Sequence, residues 1–282
     1  MKKFLLIPTV LLMVGCTNNS NINVEKHIKQ TNKDLKLLND YHTTRNNLHK
    51  LDDNFVFLNL ADNGNLTFYK IDKDYNLIAS KNIGLVITPK QIKVKNDKIY
   101  ILAYSQTENK PIFVVLDKNG NILKKVYIGN KFNTPRDFLI QNNHIIIVLN
   151  AYSKNNGTDI VIYSNNIPHI ISTKYSEEAK TLIPFRNGYL LVGNVEQTTQ
   201  NAFIAYLDKN FKIKWIRDID YGLEESVKDI KITKNDTIIL NIVSQNYTGM
   251  EEYYTVKIDK NGKILTHSKE FEIKNYPIKF QG

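Results

Sequence analysis

Five basic residues, Arg45, Lys90, Arg136, Lys180 and Lys228, recur at intervals of 45, 46, 44 and 48 residues. They close the short segments Thr43-Thr44-Arg45, Thr88-Pro89-Lys90, Thr134-Pro135-Arg136, Glu178-Ala179-Lys180 and Glu225-Ser226-Val227-Lys228. Cations gathered in one place raise the local potential and draw anions. Arginine with lysine suits carboxylate, phosphate or sulfate, so the chemistry open to this set is anion binding. The competing reading pairs each cation with a nearby acid: Glu177 and Glu178 lie beside Lys180, and Glu224 and Glu225 beside Lys228. That leaves an ordinary mixed-charge rim.

Other chemistry is thinly supported. Asp72-x-Asp74-x-Asn76 and Asp117-x-Asn119-x-Asn121 have the oxygen spacing of a calcium loop, but such a loop needs glycine at its sixth position and glutamate at its twelfth. The twelfth positions here are Ile83 and Ile128. Asp-x-Asn-Gly also supplies the left-handed residue of a tight hairpin, and that is the preferred reading. The histidines, His27, His42, His49, His144, His169 and His267, show no metal-ligand spacing. No Gly-x-Ser-x-Gly elbow, phosphate loop or dinucleotide motif is present. Glu251-Glu252 is a carboxylate pair, yet neighbours on a strand point to opposite faces, and solvated loop charge explains it. No catalytic residue, metal or cofactor is expected.

The elements that position the basic set come from an internal repeat. Ile71–Ile78, Leu116–Leu123, Leu207–Lys214 and Ile258–Leu265 are versions of one hairpin, their aspartates 45, 91 and 51 residues apart. A worn copy, Ile162–Ile167, fills the middle of the long gap, which makes five copies at a period near 46. Within the second copy, strands are predicted at Gln91–Lys95, Ile99–Tyr104, Ile112–Leu116 and Ile122–Ile128, because short β-branched and aromatic runs alternate with Asn, Asp and Gly turns. Four strands in a period of about 40–50 residues predict a β-propeller blade. The basic residues would then open the innermost strands and ring one mouth of a central channel.

The fourth and fifth copies carry Gly188-Tyr189-Leu190-Leu191-Val192-Gly193, Ala205–Asn210, Lys214-Trp215 and Tyr221-Gly222. These resemble the propeller repeats of bacterial secreted proteins and lipoproteins, of the form GGYIVAG, VKLDSNGNIxW and a closing YG. The resemblance covers residues 45–282 loosely and implies a fold and an exported location rather than an activity.

At the N-terminus, Met1-Lys2-Lys3 precedes an apolar run, Phe4–Val14, and then Gly15-Cys16. This is the layout of a secretory signal, its apolar run shorter than the ~20 residues of a spanning helix. Met13-Val14-Gly15-Cys16 resembles the lipobox of bacterial lipoproteins, which implies lipid on Cys16 and removal of residues 1–15. Cys16 is the only cysteine, so an exported chain forms no internal disulfide. Thr17 rather than aspartate follows it, which by the same resemblance implies outer-membrane sorting in a Gram-negative cell.

The whole chain has a net charge of +10; loss of two lysines with the signal leaves 36 basic against 28 acidic residues, +8. Its lysines are scattered among asparagines without a basic block or nucleic-acid module, which argues against nucleic acid as a partner. Residues 17–23 read as a polar stalk. Val24, Ile28, Thr31, Leu35, Leu38 and His42 then form one stripe of an amphipathic helix, docked on the propeller or laid at the membrane interface.

The expected organisation is a signal at 1–15, an anchored stalk and helix at 16–42, and an all-β propeller of about five four-stranded blades at 43–282. Its expected role is a lipid-anchored envelope module that binds or scaffolds a protein. The alternative is binding or processing of an anionic glycan or small anion at the basic mouth. Asn275–Phe280 echoes Asn133–Phe138, so the C-terminus either supplies the inner strand of the first blade or leaves that place to Arg45–Leu51.

Overall fold

The computed structural model describes residues 18–61, 64–141, 144–154, 157–222, 224–245 and 248–267. The signal segment, Cys16 and the Asn275–Phe280 segment lie outside them. The fold is all-β with several antiparallel sheets, and the chain divides into two units. Among the described residues, no helix is long and apolar enough to cross a membrane.

The first unit holds α1 (Asn18–Tyr41), a 3-10 turn at Arg45–Asn47, β1 (His49–Leu51), β2 (Asn54–Leu60), most of β3 (Asn65–Ile71) and the start of β4 (Leu77–Lys95), with strand order β1-β2-β3-β4. The helix takes in residues 18–23, read from sequence as stalk. It ends where His42 turns left-handed at φ 50 and the Thr43 amide donates to the Leu37 carbonyl at 3.3 Å.

The helix packs through a different face from the expected stripe. Leu37 is fully buried against Phe57, Ile71 and Tyr75, whereas Leu35 and Leu38 are 50% and 52% exposed. The strand turn explains the rotation. Lys33 donates to Asp74 at 2.9 Å and Lys36 to Asn76 at 2.6 Å, so polar partners and the Leu37 pocket together set the docked face.

Among the described residues the second unit holds four successive four-stranded antiparallel sheets, the first running on from β1-β2-β3 in one ladder and the last two joined by a single parallel pair, Gln200 with Glu224. They are the second half of β4 with β5 (Lys98–Ser105), β6 (Lys110–Asp117) and β7 (Ile122–Tyr127); β8 (Asn133–Gln141) to β11 (Ile167–Ile171); β12 (Ser176–Phe185) to β15 (Ile213–Ile219); and β16 (Glu224–Ile232) to β19 (Ile264–His267). Side chains alternate across a strand, and both faces here are buried, which accounts for near-continuous apolar runs. On β9 (His144–Ser153), Ile147 and Leu149 pack with Leu102 and Phe113 of the sheet before. Ile146 and Val148 pack with Leu182 and Leu191 of the sheet after. On β13 (Gly188–Glu196), Leu191 faces back into that second core, while Leu190 and Val192 meet Val227, Leu240 and Ile242.

The repeated aspartates make the turns. Asp72, Asp117, Asp208 and Asp259 each accept the backbone amides two and four residues on, at 2.7–3.0 Å. Each carboxylate is thus engaged by its own hairpin, as the turn reading expected.

The single tryptophan marks a contact between copies. Trp215 lies over Gly262, and its indole N–H donates to the Lys260 carbonyl at 3.3 Å. Gly262 has φ +81, and a Cβ there would sit 2.6 Å from Trp215 Cδ2. Gly262→Ala is therefore expected to cost about 1–2 kcal/mol through strain and displacement of the ring. It should also red-shift tryptophan emission in the folded chain; an unchanged spectrum and unfolding midpoint would contradict the packing.

Candidate functional site

The basic row coincides with one backbone irregularity. In all four opening strands of the second unit, one residue has no partner across the ladder. Pairing passes from Pro89 to Gln91 on β4, Pro135 to Asp137 on β8, Ala179 to Thr181 on β12, and Val227 to Asp229 on β16. The omitted residues are Lys90, Arg136, Lys180 and Lys228. A β-bulge adds one unpaired residue and re-aims its side chain, so the residues aligned by sequence are structurally equivalent. Arg45 stands apart in the 3-10 turn of the first unit and clasps Asp34 of α1 with Nη2–O distances of 2.8 and 2.9 Å.

Two of the four bulge side chains reach the next sheet. Arg136 Nη2 donates to Glu178 Oε2 at 2.7 Å, and Lys180 Nζ donates to the Val227 carbonyl. Burial lowers the Lys180 pKa, and the charge of Lys228 lowers it further, which places two cations near each other. Lys90 and Lys228 are exposed. The pairing of Arg136 is with the neighbouring copy's acid rather than with one beside it in sequence.

Buried polar groups that sequence reasoning did not single out hold the sheets together. Asp137, next to the Arg136 bulge, accepts from Lys93 at 2.9 Å on one side and from the Thr181 hydroxyl at 2.6 Å on the other. It also accepts from the Leu182 and Phe138 amides. Asn150 Oδ1 takes the Ala179 amide at 2.9 Å, and Asn194, at the matching place on β13, donates to the Glu225 carbonyl at 2.9 Å.

The bulge register also re-pairs the acids. Glu177, not Glu178, corresponds to Glu225, each lying two residues before the last paired residue ahead of its bulge. Both are buried, at 4% and 0% exposure. Burial pushes the Glu177 carboxyl up to about 8 and that of Glu225 up to about 7, against the lowering effect of Thr173 and Ser244 hydrogen bonds respectively. Asp218 on β15 is raised by burial as well and is held by Gln197 and Asn201. Glu251 and Glu252 open β18 (Glu251–Ile258), where Tyr253 and Tyr254 hydroxyls donate to them. Among the described residues, no group of three or more His, Cys, Asp or Glu is arranged to hold a metal.

Aromatic side chains are left in water on the side where sheets are joined. Phe132, in the β7–β8 connection, and Tyr152, near the end of β9, are 58% and 64% exposed. Their rings are 6.2 Å apart, Lys131 lies 5.1 Å from the Phe132 ring, and the Tyr152 amide donates to the Phe132 carbonyl. Exposure of this kind has no local sequence signal, since the same residue types fill the cores.

Face-to-face sheets with a repeated inner-strand bulge define a propeller-type all-β fold. No family model matches the chain. An uncharacterized protein of Aquifex aeolicus (strain VF5) is 32% identical over 111 residues, 34% of this chain and 32% of that protein. Among solved structures, dihydro-heme d1 dehydrogenase NirN, in complex with DHE, matches with TM-score 0.52 at 11% identity, over 79% of this chain and 45% of that one. Puromycin hydrolase matches with TM-score 0.49 at 9% identity, over 78% of this chain and 38% of that one. The chain thus spans less than half the length of these proteins, and likeness at such identity concerns fold alone.

Proposed function

We propose that the chain is a bacterial envelope lipoprotein, anchored through lipid on Cys16, whose propeller of about five blades is a non-enzymatic module for binding or scaffolding a protein partner. One contrast carries the partner reading. Arg136 and Lys180 are engaged by neighbouring strands, while the Phe132–Tyr152 pair stands in water beside Lys131. Exposed aromatics with a cationic neighbour are typical anchors of protein interfaces. A lipid tether lets such a module act near the bilayer, as the residues around Cys16 suggest.

Two measurements test this. The wild-type chain should enter the detergent phase on extraction and the Cys16→Ser chain the aqueous phase; wild type in the aqueous phase defeats the anchor. A photo-crosslinking residue at position 132 in intact envelopes should give discrete adducts that one at Leu123, an exposed edge position, does not. Equal labelling at both positions defeats the partner face. The second reading, an anionic glycan or small anion at the basic row, is favoured by the nearness of the Lys228 charge to Lys180. Polyanion binding weakened by Lys228→Ala or Lys90→Ala would support it.

A further inference from the structure

Between the β4–β7 sheet and the β8–β11 sheet, a recess of about 360 Å³ opens to solvent. Phe113, Val126 and Ile128 line it from the first sheet, and Ile145, Ile147 and Tyr163 from the second. All six belong to the core that joins these sheets or pack against it, so the recess is where that core stops short of the surface. Its rim is Lys124, His144 and the Asn165-Asn166 turn, and among the described residues neither aspartate nor glutamate lines it. His144 Nδ1 lies 3.1 Å from Asn165 Oδ1. An amide oxygen only accepts, so the imidazole donates there and is held in place at the rim.

We infer that this recess binds a small amphipathic carboxylate, a free aliphatic or aromatic acid. Its tail lies on the six apolar side chains and its head meets Lys124. The volume falls within the range of small-molecule sites, and the recess offers an apolar floor beneath a polar rim. Open apolar floor is covered favourably by a tail. A lysine at the rim, with no acid among the described lining residues, selects an anion, and carboxylate on ammonium is a charge-assisted hydrogen bond. A neutral ligand of the same shape gains only the first of these terms.

Titration calorimetry of the full chain with 4-phenylbutyrate tests the assignment, with 4-phenylbutanol as the uncharged match. Saturable binding of the acid is expected, with the alcohol at least fivefold weaker. Lys124→Gln, an exposed change, should weaken the acid about tenfold and leave the alcohol unaltered. Val126→Phe should fill the recess and abolish both, with the circular dichroism spectrum unchanged. Absence of saturable binding, equal affinity for acid and alcohol, or insensitivity to both substitutions overturns the inference. Binding of a peptide with a free C-terminal phenylalanine, but not of phenylbutyrate, would instead assign the recess to a protein C-terminus and overturn the free-acid occupant.

Discussion

Asp137→Ala is expected to lower the unfolding free energy by about 2–4 kcal/mol, the cost of leaving a buried amide without its acceptor and of losing hydrogen bonds to a charged group. Asp137 is 5% exposed and takes hydrogen bonds from Lys93 on one sheet and from Thr181 and Leu182 on another. Alanine strands the Leu182 amide in the interior and leaves the Lys93 ammonium with the carbonyl and ring of Phe138. A buried amide without an acceptor costs about 1–3 kcal/mol by itself. Asp137→Asn keeps one acceptor oxygen and the side-chain volume, so it should lose roughly half as much. Urea unfolding checks both: the midpoint should fall in the order wild type, Asn, Ala with a constant slope. An Ala variant within about 0.5 kcal/mol of wild type, the ordinary scale of a surface change, would remove Asp137 as the link between sheets.

The second large effect is on pH. Glu177 and Glu225 titrate near 8 and 7 in the folded chain, but near 4.3 when unfolded. The folded state therefore holds protons that the unfolded state has released. The contribution of these two groups is full below about pH 4 and falls as pH rises through the window from about 4.5 to 8. A tenfold difference in proton affinity is about 1.4 kcal/mol; with relaxation of the surroundings on ionisation discounting the total, Glu177 accounts for about 2–3 kcal/mol over that window.

Glu177→Gln keeps the shape without the charge. Its unfolding midpoint should stay flatter between pH 5 and 9, and at pH 9 it should be more stable than wild type by several degrees. Thermal melts across that range decide it. A wild-type chain whose stability rises from pH 5 to 8 would contradict the buried, protonated state. Glu225→Gln should behave alike with a smaller gain, because its folded value lies closer to the ordinary one.

These two effects belong to one architecture. Sheets stacked face to face leave the opening strands crowded, and each bulge turns a side chain away from the ladder. The groups near the bulges are then enclosed, Asp137 between the sheets on either side of it and Glu177 against Thr173 of the connection that precedes its strand. Asp137 is satisfied by donors from both sides, whereas burial raises Glu177 and Glu225 toward their neutral forms. The same strands display Lys90 and Lys228 to solvent, so the row mixes structural contacts with open cations.

Much of this was legible in the chain itself. The aspartate turns, the 46-residue period and the strands of the second copy depend on hydrogen bonds and side-chain alternation between near neighbours. The basic residues could be aligned because the bulge recurs at a fixed place in each period. What the residues do there could not be read off. Whether Arg136 meets Glu178, and whether Glu177 rather than Glu178 is the counterpart of Glu225, depends on strands 42–48 positions apart in sequence and on a one-residue shift at the bulge.

The helix shows the same division. Its existence is read from the stripe of Val24, Ile28, Thr31, Leu35, Leu38 and His42, but Leu37 rather than Leu35 and Leu38 is buried, because a strand turn offers Asp74 and Asn76 to Lys33 and Lys36. Sequence by itself determined the repeat, the turn chemistry and the position of the cations, all local in origin. Tertiary packing alone decided which polar groups are enclosed, which aromatics remain in water and where the recess opens, since burial is a property of neighbouring sheets and not of any one strand.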